Sequence, residues 1–235
     1  MPGRPEPSRF PAPAPDTGAG GILRRYAGLP WPTRLFLFLR WTWTPYLEMA
    51  SLLPMKGRIL DGGSGHGLFS LALAVQSKRR RVEGLEHSPA RVAMARKAAA
   101  GLPNVGFKEA DFRNFSPGLY DGIAFVDVLH YLSYADQEKL LLQAFRRLRP
   151  GGTLIFRDVD RRPGLSSLWN RLHEAVMTRL GFTRAGGLHF RPAEGWARLA
   201  EKSGYQVSSK PTGRFPFADV LFYCEKPTFK AGRGI

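Results

Sequence analysis

The sequence lacks the usual features of secreted and membrane-spanning proteins. Cys224 is its one cysteine, so neither an intramolecular disulfide nor a zinc cluster can be built around it, and we expect no metal site. The most apolar stretch, 35–39, lies between Arg34 and Arg40, whereas a membrane-spanning helix needs about 20 mostly apolar residues. The first twenty residues contain no apolar core of a secretory signal. These absences favour the reducing environment of the cytoplasm.

Acidic side chains are also scarce. Asp and Glu number 19 against 35 for Lys and Arg, which gives a formal net charge of +16. Such a charge favours an anionic partner, which would be nucleic acid, an anionic membrane surface, or a phosphorylated or carboxylated substrate. Because the arginines are spread along the chain, an ordinary basic, solvated surface is an equal alternative. The 43% of hydrophobic residues and 23% of charged residues exclude global disorder and a collagen-like repeat.

Three segments differ in composition. Residues 1–20 are rich in proline, which lacks a backbone donor, and we expect them to form a disordered tail. Residues 21–55 combine aromatic side chains with arginines, and we expect an N-terminal helical cap. The cap has two interpretations: it covers one face of the core, or it docks on anionic lipid or closes over an apolar substrate. Residues 56–235 would form the main domain, with an insertion at about 160–192.

From residue 56 onward, short apolar strands alternate with helices. This alternation predicts an α/β fold, a doubly wound Rossmann-like sheet of about seven strands with helices on both faces. Most strands would be parallel, with an antiparallel C-terminal strand. The expected strands are Arg58–Leu60, Arg81–Leu85, Val105–Lys108, Gly122–Phe125, Thr153–Phe156, Tyr205–Ser209 and Val220–Tyr223. The expected helices are Leu68–Gln76, Ala90–Ala100, Asp136–Leu148, Ser166–Leu180 and Glu194–Ser203.

The most informative segment joins the first strand of this domain to its first helix, where open α/β sheets bind ligands. Its glycines follow the spacing Asp61-x-Gly63-x-Gly65-x-Gly67. A dinucleotide-binding loop would need its third glycine at Leu68, and a P-loop would need a Gly-Lys-Ser/Thr sequence that does not follow. The glycines would let a ligand approach the backbone at the N-terminus of the next helix.

This spacing resembles motif I of the class I S-adenosylmethionine (SAM)-dependent methyltransferases. Segments 82–89, 110–112, 120–130 and 148–154 resemble further motifs of that family in the same order. The resemblance implies that Glu86 binds both ribose hydroxyls, that Asp111 meets the adenine amino group, and that Phe112 flanks the ring. The cofactor-binding residues that it implies are Asp61, Gly62, Gly63, Gly65, Gly67, Glu86, His87, Asp111, Phe112 and Asp127. For Asp127 the alternative is that it only holds its loop.

A methyltransferase that acts on an oxygen atom usually needs a base. His130 is the first candidate because it follows the fourth strand on the substrate side, and its alternative role is to pack against or cap the next helix. Asp160, His173 and His189, in or beside the insertion, are weaker candidates.

The sequence after the fourth strand also bears on the substrate. Enzymes of this family that methylate amino groups of nucleic-acid bases commonly have Asn/Asp-Pro-Pro-Tyr/Phe there, whereas this chain has Asp-Val-Leu-His at 127–130. The segment is similar to the small-molecule and lipid branch. The aromatic side chains and arginines of the cap and the insertion favour a hydrophobic acceptor that carries an anionic group.

We therefore expect a SAM-dependent methyltransferase that acts on a hydrophobic small molecule or lipid, by O- or C-methylation. It would work in the cytoplasm, with peripheral contact at an anionic membrane surface as an open alternative. Two other functions remain open: a nucleic-acid (RNA) methyltransferase, favoured only by the basic charge, and a SAM-binding protein without turnover.

Overall fold

A computed structural model describes residues 19–115, 117–160, 188–212 and 218–228 of the protein. Three helices precede the sheet, in the segment where the sequence predicts a helical cap: α1 (Ala19–Arg24), α2 (Trp31–Trp43) and α3 (Tyr46–Ser51). The Pro-rich stretch up to residue 18 and the helix expected at Ser166–Leu180 lie outside the described residues.

Within these ranges, seven strands form one sheet in the order β3-β2-β1-β4-β5-β7-β6. The first five strands are parallel to one another, β7 is antiparallel to β5, and β6 is antiparallel to β7. This topology confirms the predicted Rossmann-like sheet and its antiparallel end. The strands are β1 (Gly57–Gly62), β2 (Arg80–Glu86), β3 (Val105–Glu109), β4 (Tyr120–Val126), β5 (Leu148–Val159), β6 (Gln206–Pro211) and β7 (Asp219–Glu225).

Two hydrophobic cores cover the two faces of the sheet. Successive side chains of a strand point to opposite faces, and Ile59 of β1 accordingly belongs to one core while Leu60 belongs to the other. The first core contains residues of α1–α3 and of α4 (Leu68–Gln76) and α5 (Pro89–Ala98). The second contains residues of α6 (Tyr134–Arg147) and α7 (Ala193–Lys202). Helices therefore lie on both faces, as predicted.

The structure corrects several predicted boundaries. Helix α6 begins at Tyr134 rather than Asp136, because the Ser133 side chain accepts a hydrogen bond from the Asp136 backbone N–H and caps the helix. Strand β5 is longer at both ends than the predicted core Thr153–Phe156, since Leu148 already has extended backbone angles. The Pro-Gly-Gly sequence at 150–152 is therefore part of the strand and not only a turn.

The described part of the chain contains no helix that is both long and apolar enough to cross a bilayer. In the same residues, no group of three His, Cys, Asp or Glu side chains is placed to hold a metal ion.

Candidate active site

The predicted site residues converge at the carboxyl edge of the parallel strands. Asp61 lies at the end of β1, Glu86 ends β2, and Asp127 directly follows β4. The strand order reverses between β1 and β4, and open α/β sheets bind their ligands beside such a reversal. The sheet topology thus brings residues from three separate motifs to one edge.

Three glycines, at the end of β1 and in the loop that follows it, are required by packing. A Cβ atom on Gly62 would lie 2.5 Å from the ring of the buried Phe125. On Gly63 it would lie 2.6 Å from Val128, and on Gly67 it would lie 2.7 Å from Phe107. Gly63 and Gly67 also have φ angles of 77° and 88°, which side-chain-bearing residues rarely adopt. These glycines set the shape of the loop.

Gly65 differs from these three glycines because it faces open space. A Cβ atom there would meet no atom within 4 Å, although its φ of 55° still favours glycine. The neighbouring Ser64 hydroxyl is buried and, among the described residues, has no hydrogen-bond partner. An accessible backbone beside a buried, unpaired hydroxyl is the local geometry expected of a ligand-binding loop.

Glu86 joins the loop to the end of β2. One of its carboxylate oxygens accepts a hydrogen bond from the Gly65 backbone N–H at 3.0 Å, and the other accepts one from the Ser88 N–H at 2.9 Å. The His87 ring nitrogen Nδ1 lies 3.0 Å from the same carboxylate. Glu86 is therefore buried but hydrogen-bonded, and its carboxylate borders the open side of the loop.

Asp61 contacts the helix that follows the loop. Its carboxylate accepts a hydrogen bond from the Ser70 hydroxyl of α4 at 2.5 Å. Burial raises the pKa of Asp61 to about 7, although the hydrogen bonds from Ser70 act in the opposite direction. In this structure Asp61 holds the strand to the first turn of α4.

Asp111 and Phe112 lie beyond β3. Asp111 forms an ion pair with Arg113, and the hydrogen bonds from that guanidinium hold the pKa of Asp111 below its usual range. The Phe112 ring packs against Phe125, with 6.1 Å between the ring centroids, and so reaches the loop near Gly62.

The cap contacts the glycine loop directly. The Tyr26 hydroxyl donates a hydrogen bond to the backbone carbonyl of His66 at 2.8 Å, and the Phe36 ring lies 5.8 Å from the His66 ring. Burial, together with nearby Arg91 and Arg40, lowers the pKa of His66 to about 4, so this imidazole is neutral at pH 7.

Asp127 is held by two arginines. Its carboxylate oxygens lie 2.9 Å from Arg40 Nη2 and 2.5 Å from Arg157 Nη1, and Arg157 also pairs with Asp219. Burial alone would raise the pKa of Asp127, but Arg157 and Arg40 together keep it below its ordinary value. We call these four residues the ion-pair network, and the sequence contains no spacing signal for it.

His130 forms a buried pair with Asp158. The distance from His130 Nδ1 to Asp158 Oδ1 is 2.7 Å, and the His130 backbone N–H donates to the second carboxylate oxygen at 3.1 Å. Sequence reasoning missed Asp158 because its only signal is a position near the end of β5. The pair is close to the glycine loop, since His130 follows two residues after the Val128 that contacts Gly63.

The weaker candidates for the catalytic base make contacts other than the His130–Asp158 pair. Asp160 accepts a hydrogen bond from the Ala193 backbone N–H at 2.9 Å, at the start of α7. The His189 ring lies 5.2 Å from the Tyr134 ring, and its backbone N–H donates to the His130 carbonyl. His173 lies outside the described residues.

A cavity of about 210 Å³ opens where α2 meets α3. Three of its nine lining residues, Trp41, Trp43 and Tyr46, are aromatic, and we call it the aromatic cavity after these rings. Most of the other lining residues are polar, and Thr212, which follows β6, lies on one side. The cavity lies on the same edge of the sheet as the ion-pair network, because the end of β6 pairs with the beginning of β7. It is lined by Trp41, Thr42, Trp43, Thr44, Pro45, Tyr46, Leu47, Glu48 and Thr212.

A family model described as a methyltransferase domain matches residues 37–210, which is most of the chain. The match includes β1 to β5, all of β6 except Pro211, and all of the predicted cofactor residues, and it ends before β7. The chain belongs to the class I SAM-dependent methyltransferases. Members of this family use SAM as their methyl donor.

Individual relatives agree with this assignment. The demethylmenaquinone methyltransferase of Thermus thermophilus is 36% identical over 101 residues, which cover 42% of this chain and 45% of that protein. The chain spans about half the length of the curated relatives that it matches.

Solved structures share the fold at low sequence identity. The pyocyanin biosynthetic protein PhzM superposes with a TM-score of 0.65 at 17% identity, covering 87% of this chain and 61% of PhzM. An O-methyltransferase family protein from Burkholderia thailandensis superposes with a TM-score of 0.63 at 22% identity, covering 91% of this chain and 68% of that protein.

Proposed function

We propose that this methyltransferase transfers a methyl group from SAM to a hydrophobic small molecule or a lipid-like acceptor, by O- or C-methylation, in the cytoplasm. The observation that carries the proposal is the arrangement at one sheet edge of the open glycine loop, the His130–Asp158 pair and the aromatic cavity. The Thermus relative supports it, because that protein's name indicates a hydrophobic quinone as acceptor.

The residues of the loop fit the cofactor. Gly65 leaves room for a ligand against the backbone, and the Ser64 hydroxyl is a buried polar atom without a partner in the described part of the chain. The Glu86 carboxylate can accept hydrogen bonds from two neighbouring hydroxyl groups, as a ribose presents. We assign Glu86 and Gly65 to the nucleoside, with Phe112 and Asp111 on the side of the base.

When bound, SAM supplies an activated methyl carbon on a positively charged sulfur. The chain must then position the acceptor in line with that carbon, and proximity of this kind contributes at most about 7–11 kcal/mol. The cap and the cavity walls would exclude water from the acceptor. The ion-pair network would hold α2 over the site, since Arg40 connects that helix to Asp127.

For an oxygen acceptor, His130 would remove the proton. The contact between its Nδ1 atom and the Asp158 carboxylate favours the tautomer with the proton on Nδ1, so that Nε2 is the atom that accepts a proton. Asp158 would orient the imidazole and stabilise its charged form. We infer a general base with a positioning carboxylate, which suits O-methylation better than transfer to an already nucleophilic nitrogen.

The test uses SAM labelled on its methyl group, incubated with an extract of the host cell. We expect the label to enter the organic phase, where mass spectrometry can identify the product. Label that stays in macromolecules and is released by nuclease would replace this proposal with nucleic-acid methylation, which the net charge of +16 favours. SAM binding with no product in any extract would indicate a protein without turnover.

Variants then test the assigned roles. With the product identified, His130→Ala should lower kcat by about 10²–10⁴-fold and leave the Kd for SAM unchanged. Asp158→Asn should lower kcat less, and His189→Ala is the control for a nearby histidine. Glu86→Ala should instead weaken SAM binding by about 2–3 kcal/mol, measured by calorimetry. A His130→Ala enzyme of full activity would remove His130 from the reaction.

A further inference from the structure

Helix α2 exposes an apolar stripe to solvent. Trp31, Leu35 and Phe38 are 72%, 47% and 54% exposed. They are spaced i, i+4 and i+7, so they lie on one side of the helix, and the exposed Arg34 lies beside them. Exposed large apolar side chains are ordinary when scattered, but three of them on one helical face form a patch that calls for a partner.

The stripe is not the face with which α2 packs against the protein. Arg40 follows Trp31 by nine residues, which is two and a half turns, and therefore projects from the opposite side of the helix. That side is already engaged, since Arg40 pairs with Asp127, Leu37 is buried, and Phe36 lies against His66. The outer stripe is thus additional to the packing surface of the helix.

The charge around the stripe identifies the partner. Arg34 is the arginine that lies beside the stripe, and residues 19–47 contain no Asp or Glu that would repel an anionic surface. A helix that combines Trp, Phe and Leu with arginine is suited to lie in the interface of a bilayer, with its rings among the acyl chains and its cations near anionic headgroups. A second copy of the chain fits less well, because a two-fold contact would bring Arg34 close to its own symmetry mate.

We propose that the stripe of Trp31, Leu35 and Phe38, with Arg34, docks this enzyme on the surface of an anionic membrane. The aromatic cavity lies at the C-terminal end of the same helix, and Trp41 and Trp43 of α2 line it. Docking would therefore bring the mouth of the cavity to the lipid surface, so that an acceptor dissolved in the bilayer reaches the site without crossing water. This last step rests on the proposed function, whereas the docking itself does not.

Flotation with vesicles tests the docking in the absence of SAM and acceptor. The full chain should float with vesicles of phosphatidylcholine and phosphatidylglycerol, and much less with phosphatidylcholine alone. Leu35→Ser/Phe38→Ser should lower the partition coefficient at least about tenfold, since each side chain loses its burial in the membrane. Arg34→Gln should lower it by about fivefold. Leu119→Ser/Leu142→Ser, which alters two side chains that are 40% and 39% exposed elsewhere, is the matched control and should have no effect.

Thermal unfolding of both double variants verifies that they fold, because neither pair of sites is buried. Equal loss of flotation in the control, no flotation of the wild type, or a dimer that dissociates in Leu35→Ser/Phe38→Ser would each overturn the proposal. A chain that floats as expected but transfers no methyl group would support the docking and contradict only the proposed function. A chain that methylates a hydrophobic acceptor but never floats would overturn the docking and leave the function intact.

Discussion

The two sides of the site are built in different ways. On the side of β1 and β2, the loop is shaped by glycine backbone angles and by hydrogen bonds from backbone N–H groups to Glu86. On the side of β4, β5 and β7, buried charged side chains pair with each other, as Arg157 does with Asp127 and Asp219. The difference indicates that the first side depends on local chain geometry and the second on contacts between distant segments.

The largest expected effect on stability comes from removing the arginine at the centre of the ion-pair network. Arg157→Met leaves two buried carboxylates, Asp127 and Asp219, without their shared cation, which should cost about 3–5 kcal/mol of unfolding free energy. Urea unfolding at neutral pH measures the loss. Arg149→Met is the control, since Arg149 pairs with Asp121 at the surface and should contribute less than about 1 kcal/mol. Similar losses in the two variants would show that the network does not stabilise the fold.

Substitutions in the glycine loop should separate the effect of packing on stability from the effect on ligand binding. Gly67→Ala should cost about 2–3 kcal/mol of stability, because its Cβ atom would meet the Phe107 ring and its φ is positive. Gly65→Ala should cost only about 1 kcal/mol but weaken SAM binding by about tenfold or more.

Gly101→Ala is the matched control for Gly65, because Gly101 also has a positive φ and open surroundings but lies after α5. Calorimetric titration with SAM and thermal unfolding distinguish the three variants. Unchanged SAM affinity in Gly65→Ala would place the cofactor elsewhere.

The last expected effect concerns the pH dependence of the free energy of unfolding, to which Asp61 contributes. Because burial raises the pKa of Asp61 from 3.8 to about 7, the folded state keeps a proton that the unfolded state releases as the pH rises from 4 to 7. This group therefore makes the protein less stable with rising pH over that range. Asp61→Asn should remove this decline, so that the stability of the variant relative to the wild type rises between pH 4 and pH 8.

Asp111→Asn should change the pH dependence of stability in the opposite direction to Asp61→Asn. Hydrogen bonds from Arg113 lower the pKa of Asp111, so that carboxylate stabilises the fold above pH 4 and loses this contribution in acid. Urea unfolding measured across this pH range, without SAM, compares the variants. Parallel pH profiles for the wild type and Asp61→Asn would mean that the pKa of Asp61 is the same in the folded and unfolded states.

The difference between local chain geometry and contacts between distant segments also explains which parts of the site could be predicted from the sequence. The loop was predictable because its residues lie within a few positions of each other, and the strands because each is a short apolar run between turns. The partners of the ion-pair network are separated by 87, 30 and 62 positions, and no local pattern relates them. The role of Asp158 was not predictable for the same reason. Its partner His130 is 28 positions away, and the two meet because β4 and β5 are parallel neighbours.

The backbone angle and the two ion pairs of Asp127 restrict which substitutions this protein can accept over evolutionary time. Among the residues described, it is the one non-glycine with a positive φ, at 54°, and both of its carboxylate oxygens contact arginines. Glycine would tolerate the backbone but lose the charge, and glutamate would keep the charge but strain the backbone. Position 127 can therefore vary only together with positions 40 and 157. In a collection of related sequences, these three columns should covary as one inherited unit.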